Sequence, residues 1–207
     1  NRKIFVPQMS YEGSVAFAAS LRSVGFDAEI SPFSDKRTLE LGGRYTSGDE
    51  CYPLKITFGN FLKVIQDSGL KQEEIAFFMP TADGPCRFGQ YTPFIKKMLK
   101  ESGYSDIQII SPTSENSYEG IGEYTNDVLR TAWRALLCSD ILRKMLLKIR
   151  PYEINRGETD KVFENSLKEI EKILETQNLT HSERIKLLVL KMKENRESFR
   201  KIPVDRS

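Results

Sequence analysis

The chain has 207 residues, with 31 basic and 29 acidic side chains and a net charge of +2. So even a balance gives no electrostatic case for nucleic acid or an anionic membrane surface as partner, because either needs a surplus of basic charge. No apolar run approaches the roughly 20 residues of a spanning helix. Three cysteines at irregular spacing do not form a disulfide framework, so the expectation is a soluble cytoplasmic protein.

Residues 3–8 are β-branched and aromatic and read as a strand, after which Ser10 is the N-cap of a helix over 11–24 that Gly25 stops. A second strand over 27–33 completes a short strand–helix–strand unit, which favours a parallel crossover. Residues 34–50 are polar and read as a long loop with one helical turn near 37–41. Pro53 suits the first turn of a helix whose stripe is Leu54, Phe58, Phe61, Leu62 and Ile65, ending at Gly69; Cys51 therefore stands at a helix N-terminus. A strand over 74–79, a helix over 91–102 ended by Gly103, a strand over 106–111 and a loop over 111–124 follow. Residues 1–124 are thus expected to form an α/β domain, a Rossmann-like parallel sheet flanked by helices.

From Thr125 the pattern becomes all-helical, with helices over 125–149, 160–176 and 182–200 and a break at Pro151. Residues 125–207 read as a helical extension packed on the first domain. His181 and Ser182 are expected to cap the last helix, whose apolar face is Ile185, Leu188, Val189 and Met192. Residues 200–207 look like a linker without a closing element, as in a piece of a longer polypeptide.

Candidate chemistry gathers in two loops. In a parallel sheet, ligands bind beyond the carboxyl ends of the strands, where loops lead into helix N-termini. A helix start carries partial positive charge and free N–H groups, which favours a thiolate over a thiol. Cys51 and Cys86 are expected to face one such cleft. Soft-metal or iron–sulfur ligation, nucleophilic catalysis and simple filling of tight turns compete for them. The only histidine, His181, lies far along the chain, and Cys138 sits inside an apolar helix, where packing is its natural role. Gly84 and Gly89 are spaced as in a phosphate loop, but Gln90 and Tyr91 stand where lysine and Ser/Thr are required. A weaker anion site from loop amides and Arg87 remains open. Asp49, Glu50 and Asp83 are either acid/base groups or, more simply, turn and cap residues.

Gly48, Cys51, Tyr52, Pro53 and Lys55 on one side, and the run from Met79, Pro80 and Thr81 through Asp83, Gly84, Pro85, Cys86, Arg87, Phe88, Gly89, Gln90 and Tyr91 on the other, resemble the 2-hydroxyacyl-CoA dehydratase activase-related proteins. Ala132, Trp133 and Arg134, the stretch to Arg150, Pro151, Tyr152 and Glu153, and the terminal Ile202, Pro203, Val204 and Asp205 are similar to the same family. In that family the large members join an ATPase activator region to segments resembling the dehydratase component, which is built of Rossmann-like layers and carries iron–sulfur clusters on cysteines. This chain resembles a dehydratase-like segment and holds no actin-like phosphate motif. The resemblance implies Cys51 and Cys86 as metal ligands of an iron–sulfur cluster, and Arg87, Gln90 and Tyr91 as residues shaping its pocket. It implies low-potential electron transfer, with other domains of the same polypeptide or a dehydratase or activator subunit as partners. Dehydratase subunits supply one more protein thiolate than the two credited here, so a further ligand would come from another domain, a partner or a small molecule. A non-catalytic docking or small-anion-binding module is the alternative, and a free-standing thiol enzyme would need a base beside Cys86.

Overall fold

In a computed structural model of the chain, the structure describes residues 2–82, 84–113, 116 and 120–205. They fall into two compact units that interleave in sequence: residues 1–9 with 26–125, and 10–25 with 126–207. The sequence pattern divides the chain at residue 125; in the structure the first helix groups with the C-terminal helices.

The first unit is built on four parallel strands, β1 (Lys3–Val6), β2 (Ala28–Ile30), β3 (Ile75–Phe78) and β4 (Gln108–Ile110), in the order β2-β1-β3-β4. Ile4 lies opposite both Ala28 and Ala76, and Phe77 opposite Ile109. β3 is buried along its whole length, as expected of a strand covered on both faces. The order reverses direction between β1 and β3, which is the topological switch point where doubly wound sheets bind ligands. The fold is therefore α/β with an all-parallel sheet.

The second unit carries α1 (Tyr11–Arg22); α2 (Lys36–Gly43), α3 (Tyr52–Asp67) and α4 (Tyr91–Glu101) belong to the sheet unit. Phe58, Phe61, Leu62, Phe77 and Ile95 are fully buried, and Phe61 stacks on Phe77 with centroids 4.0 Å apart. α2 corrects the sequence reading, which expects a single turn there. The reason is a capping box: the Asp35 carboxylate accepts the Thr38 amide at 2.9 Å and the Thr38 hydroxyl accepts the Asp35 amide at 3.1 Å. The buried Lys63 ammonium of α3 then donates to Asp35 and to the Phe33 carbonyl, both at 2.8 Å.

In the second unit, α5 (Thr125–Ile149), α6 (Glu158–Glu175) and α7 (His181–Arg200) accompany α1. Arg22 of α1 pairs with Glu171 at 2.7 Å and Glu175 at 2.9 Å on α6. Arg143 of α5 reaches the buried Glu12 of α1 at 2.7 Å. The C-terminal end of α6 is closed by the buried Arg184 guanidinium, which donates to the carbonyls of Ile173, Leu174 and Thr176. Thr180, rather than His181 with Ser182, caps α7, through a box with Glu183. The terminus also differs from expectation: Val204 bridges antiparallel to Glu153, and the Asp205 amide donates to the Tyr152 carbonyl at 2.8 Å. Backbone groups of 152–154 need partners, and 203–205 supply them. Among the described residues no helix is long and apolar enough to cross a membrane.

Candidate functional site

The carboxyl edge of the sheet unit brings the two cysteine loops together. Cys51 precedes α3 in an extended conformation, and its carbonyl accepts the Leu54 amide at 2.9 Å, so Pro53 and Leu54 start the helix immediately beyond the sulfur. Cys86 follows the β3 loop and precedes one turn of 3-10 helix, Arg87–Gln90, that runs directly into α4. Two glycines make that loop feasible. Gly84 has φ of +101°, and a Cβ on Gly89 would lie 2.6 Å from the Ala82 carbonyl oxygen. Asp83 lies outside the described residues.

Tyr91 joins the loops. It is only 3 % exposed, and its phenol stands beside Cys51 at the start of α3. Burial, then the hydrogen bond to Cys51, then the charges of Cys51 and Cys86 push the Tyr91 pKa up, with the Leu54 amide acting in the opposite sense. The phenol therefore stays protonated. Phe88 holds the ring edge-on, with centroids 5.0 Å apart. Arg87, exposed, donates to the Asp49 carbonyl at 2.7 Å and so ties the Cys86 loop to the Cys51 loop.

The thiols differ in access: Cys86 is exposed and Cys51 half-buried. Cys138 is buried in α5, where desolvation pushes its pKa up to about 11. Gln90 is exposed and makes no capping hydrogen bond to α4. Glu50 is a turn residue: desolvation opposes its ionisation, yet amides including those of Ser47 and Gly48 and the Ser47 hydroxyl hold its carboxyl below the usual carboxylate range. Asp49 contributes its carbonyl rather than its carboxylate. His181 is engaged in the helical unit, accepting from Arg134 at Nδ1 (3.1 Å), which leaves Nε2–H to donate to Asp127 at 3.0 Å.

Sequence reasoning missed two participants: the Asp49 carbonyl and Phe88. The first is a backbone group and carries no residue-type signal. Phe88 stands three positions before Tyr91, a spacing that pairs side chains along a helical turn. Chemically the arrangement offers two thiols at helix starts, a neutral phenol donor and one guanidinium. Among the described residues no group of three His, Cys, Asp or Glu side chains is placed to hold a metal ion. Comparison with family models, with curated proteins and with solved structures finds no match to this chain.

Proposed function

We propose that the sheet unit is a dehydratase-like segment of a 2-hydroxyacyl-CoA dehydratase activase-related protein, and that Cys51 and Cys86 hold one edge of an iron–sulfur cluster used in low-potential electron transfer. The observation that supports this reading best is the Arg87 bond to the Asp49 carbonyl, 2.7 Å, which joins the two cysteine loops although they lie far apart in sequence. Thiolates are the donors iron–sulfur clusters use, and Cys51 and Cys86 would supply two of them. The remaining iron positions would fall to donors outside the described residues, in other domains of the polypeptide or in a dehydratase or activator subunit. When bound, the cluster would supply one-electron chemistry.

The chain's own residues would fix and tune the donors. The buried Tyr91 phenol beside Cys51 would be an outer neighbour of that ligand, and such neighbours set ligand strength and potential. The Arg87 bond to Asp49 keeps the loops in register. Phe88 packs edge-on against the buried Tyr91 ring and so helps fix it beside the half-buried Cys51.

One observation favours a second reading, a non-catalytic docking or small-anion-binding module. Arg87 forms no ion pair with any described residue, which leaves the rest of its fork for an anion. Iron and acid-labile sulfide content, with an electron paramagnetic resonance spectrum, distinguishes the two on protein reconstituted without oxygen. Stoichiometric iron that is lost in the Cys51→Ala, Cys86→Ala double variant is the expected result. No iron in either protein removes the electron-transfer assignment and leaves the anion module.

A further inference from the structure

The apolar period of the last helix predicts a buried face of Ile185, Leu188, Val189 and Met192. Of these only Leu188 is buried; Ile185 is 42 % and Val189 49 % exposed, and across from them on α5 Leu137 is 48 % and Ile141 49 % exposed. These side chains line a groove between α5 and α7, with one cavity of about 330 Å³ from Arg134 to Arg196 and a second of about 500 Å³ that continues past Ile141 to Val204. Arg134 lies beside His181 at the start of α7, and Ile149 beside Arg200 near its end, so the helices run alongside in the same direction. Residues 134–149 of α5 give the groove a length of ~22 Å at the α-helical rise.

The charge on the lining has one sign. Arg134, Lys148, Lys193, Arg196 and Arg200 contribute to it, and no Asp or Glu does. Among the described residues Lys148, Lys193 and Arg196 form no ion pair, although the helices carry many carboxylates elsewhere. The basic groups are spread along the whole groove instead of gathering at one mouth. A single anionic headgroup with an acyl tail would use one end of such a row, whereas a helix with carboxylates on both flanks of an apolar stripe would use all of it.

We propose that the α5/α7 groove is the docking site for an acidic amphipathic helix of a partner protein. Apolar anchors at i, i+3, i+4 and i+7 of that helix enter between Leu137, Ile141, Ile185 and Val189, and its flanking carboxylates pair with Lys148, Lys193 and Arg196. The groove lies wholly within the helical unit, so the proposal stands apart from the thiol site.

Fluorescence anisotropy tests it on the whole chain, with a designed helical peptide bearing leucines at those spacings and glutamates on both flanks, and with a control carrying lysines for the glutamates. Saturable one-to-one binding of the acidic peptide, weakened by salt and reduced about tenfold or more by Lys193→Glu with Arg196→Glu, is the expected result. Both positions are exposed, so folding is retained. Ile141→Asp should reduce binding as well. Equal binding of the two peptides, no binding of the acidic one, or indifference to the charge reversal overturns the proposal. A fatty acid that displaces the peptide would assign the groove to lipid, and a dimer in sedimentation that the charge reversal dissolves would assign it to a second copy; either result overturns it.

Discussion

Two helix pairs in this protein, α2 with α3 and α5 with α7, end up differently. α2 and α3 meet through glycines: a Cβ on Gly42 would stand 2.1 Å from the Lys55 carbonyl oxygen, and one on Gly59 2.0 Å from that of Thr38. Backbone lies against backbone, and the polar groups trapped there are paired, as in the Thr38 hydroxyl bond to Asn60 at 2.9 Å. α5 and α7 present Leu137, Ile141, Ile185, Leu188 and Val189 to the groove with no glycine in its lining, and it remains open. Closure of a helix pair thus depends on what the facing positions let the backbones do, more than on how apolar they are.

The largest expected effect is on the closed pair. Gly59→Ala forces a methyl into the Thr38 carbonyl and should cost about 3 kcal/mol, at the upper end of overpacking, read as a lower urea midpoint. An unchanged midpoint would break the comparison. Arg184→Met should cost about 2 kcal/mol, because the carbonyls of Ile173, Leu174 and Thr176 lose their buried donor. Chemical denaturation with a helix-content probe reads that loss.

At the thiol site, the exposed Cys86 should alkylate faster than the half-buried Cys51. Mass-resolved labelling checks this, and Cys138, with its thiol pushed up to about 11, should label last. On the open pair, Leu137→Ala should change stability by less than about 0.5 kcal/mol, because the side chain is already half in water. A larger loss would mean the groove is not open.

The smallest effect is confined to acid. The Lys63 ammonium, and next the Thr38 amide, hold the Asp35 carboxyl at about 2, below its ordinary 3.8. A depressed carboxyl contributes stability above its unfolded value and loses it as pH falls through the folded one. The melting temperature should therefore fall as pH drops from 3.8 to about 2, and Lys63→Met should make that slope shallower.

Much of the fold is readable from local signals. Ser10 does accept the Gly13 amide as N-cap of α1, and the helix expected over 125–149 is α5 to the residue. The strands expected from composition are each longer than the strands formed, because pairing ends where the neighbouring strand turns away, and 27–33 stays in register with β1 only over Ala28–Ile30. α2 is under-read because its capping box, Asp35 with Thr38, uses a threonine where glutamate is the usual signal. At the site, Pro53 and the glycines are enough to place Cys51 and Cys86 at helix starts. They do not reveal that the buried Tyr91 phenol stands beside Cys51, because nothing in residues near either one encodes it.

The order and kind of the elements are written locally, since apolar period, caps and breakers act within a few residues of where they stand. Long-range packing settles what no short window contains. It sets Tyr91 against the Cys51 sulfur, Lys63 under the cap of α2, Val204 back against Glu153, and α1 with the C-terminal helices. It also leaves the α5/α7 face uncovered, although its period reads like that of any buried helix. Periodicity reports which face is apolar; whether anything covers that face depends on the size of side chains that meet only after the chain has folded.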